Sequence, residues 1–207
     1  DCHFSMVYLK KTFITLLLKL ENFLRGNYMK NISLSKYSNK IKYLVGDGEI
    51  NLFTRSPYDE ISCSFIDELS RKLRKDKSCQ QYPDIMAFAF WCRDKNLERH
   101  RLLFEDEFCR KGRGLIFHIS PSNVPINFAF TFIFGVLAGN GNIVRVPSKH
   151  FPQIDMVCKK IEETLLDDRF ISIKRQTAII SCERDIEIID YLSSVCDIRV
   201  IWGGDSS

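Results

Sequence analysis

From Gly114 onward, apolar runs of strand length alternate with segments of helix length, and this alternation restricts the fold more than any other feature of the chain. Leu115 to Ile119 is an apolar run of the length of a buried strand, and a Ser120-Pro121-Ser122-Asn123-Val124-Pro125 turn follows it. Ile126 to Ala138 is apolar almost all round, Gly139-Asn140-Gly141 breaks it, and Ile143 to Val146 is strand-like again. Strand, turn, buried helix and strand make one βαβ unit, a common way to build a nucleotide crevice. A helix from about Pro152 to Leu166 comes next, with Ile154, Val157, Ile161 and Leu165 on its buried face. Thr177 to Cys182 then reads as a strand, Asp185 to Val195 as a helix, and Ile198 to Trp202 as a fourth strand ending at Gly203-Gly204-Asp205. The fold class is therefore α/β, with a parallel, Rossmann-like sheet flanked by helices.

A helical segment precedes this unit. Ser56 is placed to cap a helix with Pro57 at its first position, and Ile61, Phe65, Leu69 and Leu73 repeat every four residues as its buried stripe. Tyr82-Pro83-Asp84 opens a second helix with Ile85, Phe88, Ala89 and Cys92 on one face, and Asn96 is placed to cap a third that runs through Phe108. Upstream of residue 56, residues 6 to 25 read as an amphipathic helix and residues 26 to 40 as a polar linker. Ile41 to Val45 and Glu49 to Phe53, separated by Gly46-Asp47-Gly48, read as a β-hairpin. Two regions result: residues 1–55, with helix, linker and hairpin, and residues 56–207, with the helical segment and a partial α/β domain.

A net charge of +4 over 207 residues, with basic and acidic side chains interspersed, does not point to a nucleic-acid partner. The densest basic run, Arg71 to Lys77, reads as the solvated end of a helix. The eight cysteines (Cys2, Cys63, Cys79, Cys92, Cys109, Cys158, Cys182 and Cys196) include no Cys-x-x-Cys pair and have no His cluster beside them, so no metal site is expected. Several fall at helical core spacing, which favours free thiols and a cytoplasmic location. Phe13 to Leu18 is too short to span a bilayer and carries no cleavage pattern. The chain opens at Asp1 without Met and stops at Ser207, where a further helix is due, so a truncated product is expected.

In an open parallel sheet, ligands bind beyond the carboxyl ends of the strands. Three turns occupy that position: Ser120 to Pro125, Pro147-Ser148-Lys149, and Gly203-Gly204-Asp205. Asn123 is either a turn-former or helix cap, or an amide donor to a developing oxyanion. Ser148 and Lys149 are placed to hold ribose and phosphate oxygens, although a lone Lys there also reads as a solvated side chain. Gly203-Gly204 would allow a ligand close to the backbone. Neither GxGxxG nor a Walker loop is present.

The run HISPSNVPINFAFTFIFGVLAGNGNIVRVPSK, with AFAFWCRDKNLERH upstream and VIWGGD downstream, resembles the acyl-CoA reductases of the aldehyde dehydrogenase superfamily, which include the fatty acid reductase of bacterial bioluminescence. The resemblance covers about residues 56 to 207. It implies an incomplete cofactor domain and an NADPH-dependent reduction of a long-chain acyl-CoA or acyl-protein thioester to the aldehyde. In that chemistry a cysteine takes the acyl group and NADPH supplies the hydride. By this likeness Asn123 matches the oxyanion donor, a group of a kind worth roughly 3 kcal/mol. Ser120, Pro121 and Ser122 fall in the cofactor-facing turn, and Arg145, Pro147, Ser148 and Lys149 match the strand end and turn that hold the adenosine ribose. Gly203, Gly204 and Asp205 match the turn against the pyrophosphate and nicotinamide. Typical aldehyde dehydrogenases carry Lys-Pro-Ser-Glu where this chain has Val146-Pro147-Ser148-Lys149. Replacing that carboxylate with Lys149 favours a 2′-phosphate and hence NADP.

By the same likeness the nucleophilic Cys is expected after the Gly-Gly turn, in a catalytic domain that the 207 residues are not expected to include. Cys182 is the least unsuited of the cysteines present, but Glu183-Arg184-Asp185 offers it no base. The chain alone is expected to be inactive as a reductase. The alternatives are a nucleotide-binding module without chemistry and a non-functional fragment. A homo-oligomer and an acyl-transferase or synthetase partner both remain open.

Overall fold

The computed structural model describes residues 29–102, 110–183 and 185–202. The helix expected over residues 6 to 25, the segment leading to Phe108, and Gly203-Gly204-Asp205 lie outside them. In chain order the described residues form β1 (Met29–Ser33), β2 (Lys42–Val45), β3 (Glu49–Phe53), α1 (Glu60–Lys75), α2 (Pro83–Trp91) and α3 (Asp94–Leu102). There follow β4 (Leu115–Ile119), α4 (Asn127–Leu137), β5 (Gly141–Val146), α5 (Pro152–Leu165), a short α6 (Ile171–Lys174), β6 (Thr177–Ser181), α7 (Ile186–Val195) and β7 (Ile198–Ile201).

The expected α/β class holds. Strands β6, β5, β4 and β7 lie side by side in that order and are parallel. The chain moves outward from β4 through β5 to β6, then crosses back to place β7 on the other side of β4. Strands β4, β5 and β6 are buried on both faces, which is why they read as continuous apolar runs rather than as alternating ones. One face packs on α1, α2, α4 and α5, through Phe65, Phe88, Phe128 and Phe132 against Val144, Val146 and Ile179. The other is covered by α7 and by the β1–β3 ribbon, with Ile50, Leu52, Ile188 and Leu192 against Leu115, Phe117, Ile143 and Ile180.

The expected hairpin does not form. β2 pairs antiparallel with β6, matching Lys42 to Ser181 and Tyr43 to Ile180, and becomes a fifth strand of the main sheet. β3 instead pairs antiparallel with β1, from Met29 opposite Phe53 to Ser33 opposite Glu49. The linker expected over residues 26 to 40 therefore contains a strand, whose Ile32 is buried between exposed Asn31 and Ser33. Gly46 and Gly48 do form the turn, with φ of 75° and 85°, a region that glycine enters without steric penalty. The turn lies so close to β6 that a Cβ on Gly46 would collide with the Thr177 carbonyl. β2 thus lies on the edge of β6 and not against β3.

Three helical details also differ from expectation. Asp59, not Ser56, is the cap of α1, accepting a hydrogen bond from Ser62 N at 3.2 Å. Ile61 is exposed, and the buried stripe consists of Ser62, Phe65, Ile66, Leu69, Ser70 and Leu73. Asn96 lies inside α3, where its Nδ2 donates to the carbonyls of Phe90 (3.0 Å) and Trp91 (3.3 Å) and so closes the C-terminal end of α2.

Candidate functional site

Because β7 returns to the far side of β4, the order of the parallel strands reverses between these two, and a crevice opens beyond their carboxyl ends. A cleft of about 890 Å³ occupies this place. The turn after β4 gives it Ser120, Pro121, Ser122 and Asn123, and the end of β5 gives it Arg145, Pro147, Ser148 and Lys149. These eight are all of the site residues expected from the sequence that fall within the described residues. The opposite wall was not foreseen: Ile186 and Ile189 come from α7, and Arg199, Ile201 and Trp202 come from β7. Their contribution follows from strand order, which the alternation of elements does not reveal. The backbone N–H of Trp202 donates to the Ile119 carbonyl at 3.1 Å, so the chain leaves β7 beside the Asn123 turn.

Asn123 is exposed, and its side chain makes no hydrogen bond among the described residues. It does not cap α4, whose N-cap position is Ile126 with no side-chain bond. The amide is thus left facing the cleft. Beneath it lie two buried groups joined through the backbone, where Ser120 N donates to the Arg145 carbonyl at 3.1 Å. Arg145 Nη2 donates to the Cys182 carbonyl at 3.0 Å, and Ser148 Oγ donates to the same oxygen at 3.3 Å. Arg145 Nε and Ser120 Oγ are buried without a hydrogen-bond partner. Lys149 holds its ammonium 5.0 Å from the centre of the Phe151 ring. The described lining of the cleft carries three cations (Arg145, Lys149 and Arg199), no carboxylate, and an apolar wall. Such a set suits an elongated polyanion with flat, partly apolar ends.

The turn is held from behind by a buried polar cluster. His118, 2% exposed, bonds through Nδ1 to Thr131 Oγ1 of α4 (2.7 Å) and through Nε2 to Asn142 Oδ1 of β5 (3.0 Å). Because Asn142 Oδ1 can only accept, Nε2 carries the proton and Nδ1 accepts from Thr131. Asn142 Nδ2 in turn donates to the Asn140 carbonyl at 2.9 Å. Burial lowers the His118 pKa to about 4, opposed in part by its bond to Asn142. The imidazole is therefore neutral and structural, fixing the angle between β4, α4 and β5.

No described cysteine lines the cleft. Burial raises the thiol pKa of Cys63 to about 11 and lifts those of Cys79, Cys92, Cys158 and Cys196 as well. Cys182 is buried, and it is its carbonyl rather than its thiol that the cleft residues engage.

Fold and cleft together define an α/β protein with a crevice at the reversal of strand order and no glycine-rich GxGxxG loop in its sequence. Residues 94–207 match the family model described as acyl-CoA reductase (LuxC). The chain belongs to this family. A search among curated protein sequences finds no match. Among solved structures, two mutant forms of Bradyrhizobium japonicum proline utilization A (PutA) are similar in fold, each with a TM-score of 0.51. Identity is 18% and 17%, and the alignments cover 71% and 70% of this chain. The chain spans 17% of the length of each of those proteins.

Proposed function

We propose that the cleft binds NADP(H) and serves the NADPH-dependent reduction of a long-chain acyl-CoA, or of another acyl thioester, to the aldehyde. The observation that carries this reading is the cleft at the strand-order reversal, lined by three cations and no carboxylate among its described residues. Lys149 and Ser148 take the 2′-phosphate and adenosine ribose, and Trp202, Ile186 and Ile189 offer the apolar wall for a flat ring. Asn123, exposed and uncommitted, donates its amide to the oxygen of the thioester carbonyl as negative charge builds there. The nicotinamide, when bound, supplies hydride. The acyl-accepting thiol is none of the described cysteines, since none lines the cleft. The six described thiols are unpaired, which accords with a reducing, cytoplasmic setting.

Titration of the full chain with NADPH and NADH, followed by tryptophan fluorescence, tests the cofactor assignment. NADPH is expected to bind more tightly. Lys149→Glu is expected to shift the preference toward NADH by about tenfold or more, because it sets a carboxylate against the 2′-phosphate. Failure of the wild-type chain to bind either nucleotide would overturn the reading.

A second reading, a nucleotide-binding module without chemistry, is favoured for the chain alone by the lack of a described cysteine at the cleft. Aldehyde release from a long-chain acyl-CoA and NADPH separates the two, and sustained turnover by this chain alone would refute the assignment of the nucleophile.

A further inference from the structure

A dinucleotide carries a diphosphate between its two nucleosides, and among the described residues the helix starts that would usually hold it are committed elsewhere. The glycine-rich fingerprint is absent. At the start of α4, Asn127 N and Ala129 N already donate to the carbonyls of Val124 and Ile126. At the start of α7, Asp185 accepts from Glu187 N and Ile188 N, so a carboxylate fills the place an anion would take.

Arg145 is different. Its side chain belongs to a residue only 7% exposed, and it lines the cleft. Among the described residues it meets no carboxylate, and its one hydrogen bond is to the Cys182 carbonyl through Nη2. A buried guanidinium without a counter-charge is costly unless something supplies one. The Cys182 carbonyl does not need it, because Ser148 Oγ donates there too. Nε remains buried and unpartnered, as does Ser120 Oγ on the adjoining strand end.

We infer that Arg145, seconded by Ser120, is the diphosphate anchor of the cleft, doing with a buried side chain what a glycine-rich loop does elsewhere. The inference rests on the reading of the cleft as a dinucleotide site. It separates two tasks: Arg145 grips what NADH and NADPH share, whereas Lys149 distinguishes them.

The test compares Arg145→Met and Arg145→Lys with the wild-type chain in NADPH binding, NADH binding and ligand-free thermal melting. Arg145→Met is expected to weaken both nucleotides by the same factor, about tenfold to a hundredfold, as for loss of a charge-assisted bond. It is also expected to melt no lower than the wild type, because it removes a buried charge that no described carboxylate compensates. Arg145→Lys, which keeps the charge without the planar fork, should weaken both nucleotides equally but less. It carries the comparison if the Met variant does not fold. Loss for NADPH alone would place the guanidinium at the 2′-phosphate and overturn the proposal. So would a lower melting temperature with binding retained, the signature of a strap between β5 and β6. If the wild-type chain binds neither nucleotide, the functional reading fails first. The anchor is then judged with inorganic pyrophosphate, which must raise the melting temperature of the wild type and not of Arg145→Met, or the proposal falls as well.

Discussion

Replacing Gly135 with Ala should destabilise the protein, although the same change in most helices does the reverse. In a helix interior Ala is favoured over Gly by about 1 kcal/mol. Gly135 lies in α4 opposite the His118–Asn142 pair. A Cβ built there would stand 2.8 Å from Asn142 Cγ and 3.2 Å from His118 Nε2, and closer still to Asn142 Oδ1. The Asn142 side chain must move, and overpacking of this kind costs about 1–3 kcal/mol. Its movement breaks the bond to His118, leaving buried polar atoms unsatisfied for about another 1–3 kcal/mol. Taking the middle of each range and subtracting the propensity gain leaves a net loss of about 3 kcal/mol, or about 6–12 °C in melting temperature for a chain of this size. A double-mutant cycle isolates the cause. In an Asn142→Ala background the added methyl has room, so Gly135→Ala should there be neutral or slightly stabilising, giving a coupling of about 3–4 kcal/mol. Denaturant unfolding of the four proteins measures it. A Gly135→Ala variant as stable as the wild type, or additive effects in the cycle, would refute the reasoning.

His118 should also make stability depend on pH. Its folded pKa, lowered to about 4 by burial, lies below the ordinary 6.5, so as pH falls through 6.5 the unfolded chain takes up a proton that the folded chain refuses. Stability attributable to His118 is constant above 6.5 and declines between about pH 6.5 and 4, by about 3 kcal/mol in all. Melting curves across this range should show the decline in the wild type and a smaller one in His118→Gln. At the start of α1, Asp59→Ala should cost about 1 kcal/mol through loss of the cap, while Ser56→Ala should stay within about 0.5 kcal/mol, both read from unfolding midpoints.

Much of the parallel sheet could be read from the chain because each of its inner strands is buried on both faces and each is followed by a helix long enough to cross over. Leu115–Ile119 and Thr177–Ser181 announce themselves in this way. Pairing is another matter. Gly46 and Gly48 mark a turn, but whether β2 joins β3 or β6 depends on which strand edge is free, a property of the assembled sheet. Asp59 rather than Ser56 caps α1 for a local reason, since Ser56, Asp59 and Glu60 all offer helix-starting chemistry within five residues. One wall of the cleft was legible because its residues follow directly from β4 and β5. Arg199 and Trp202 were not, because they become neighbours of Asn123 only through the return of β7 across the sheet.

The stretch that matches the family begins at residue 94, yet β2, α1 and α2 all precede it. A gene trimmed to the recognisable half would leave one margin of β6 without its hydrogen-bonding neighbour and strip the cover from Phe128, Phe132 and Val144. Such an edge recruits other chains. Expression of residues 94–207 alone should therefore yield insoluble material, however complete the match looks on paper.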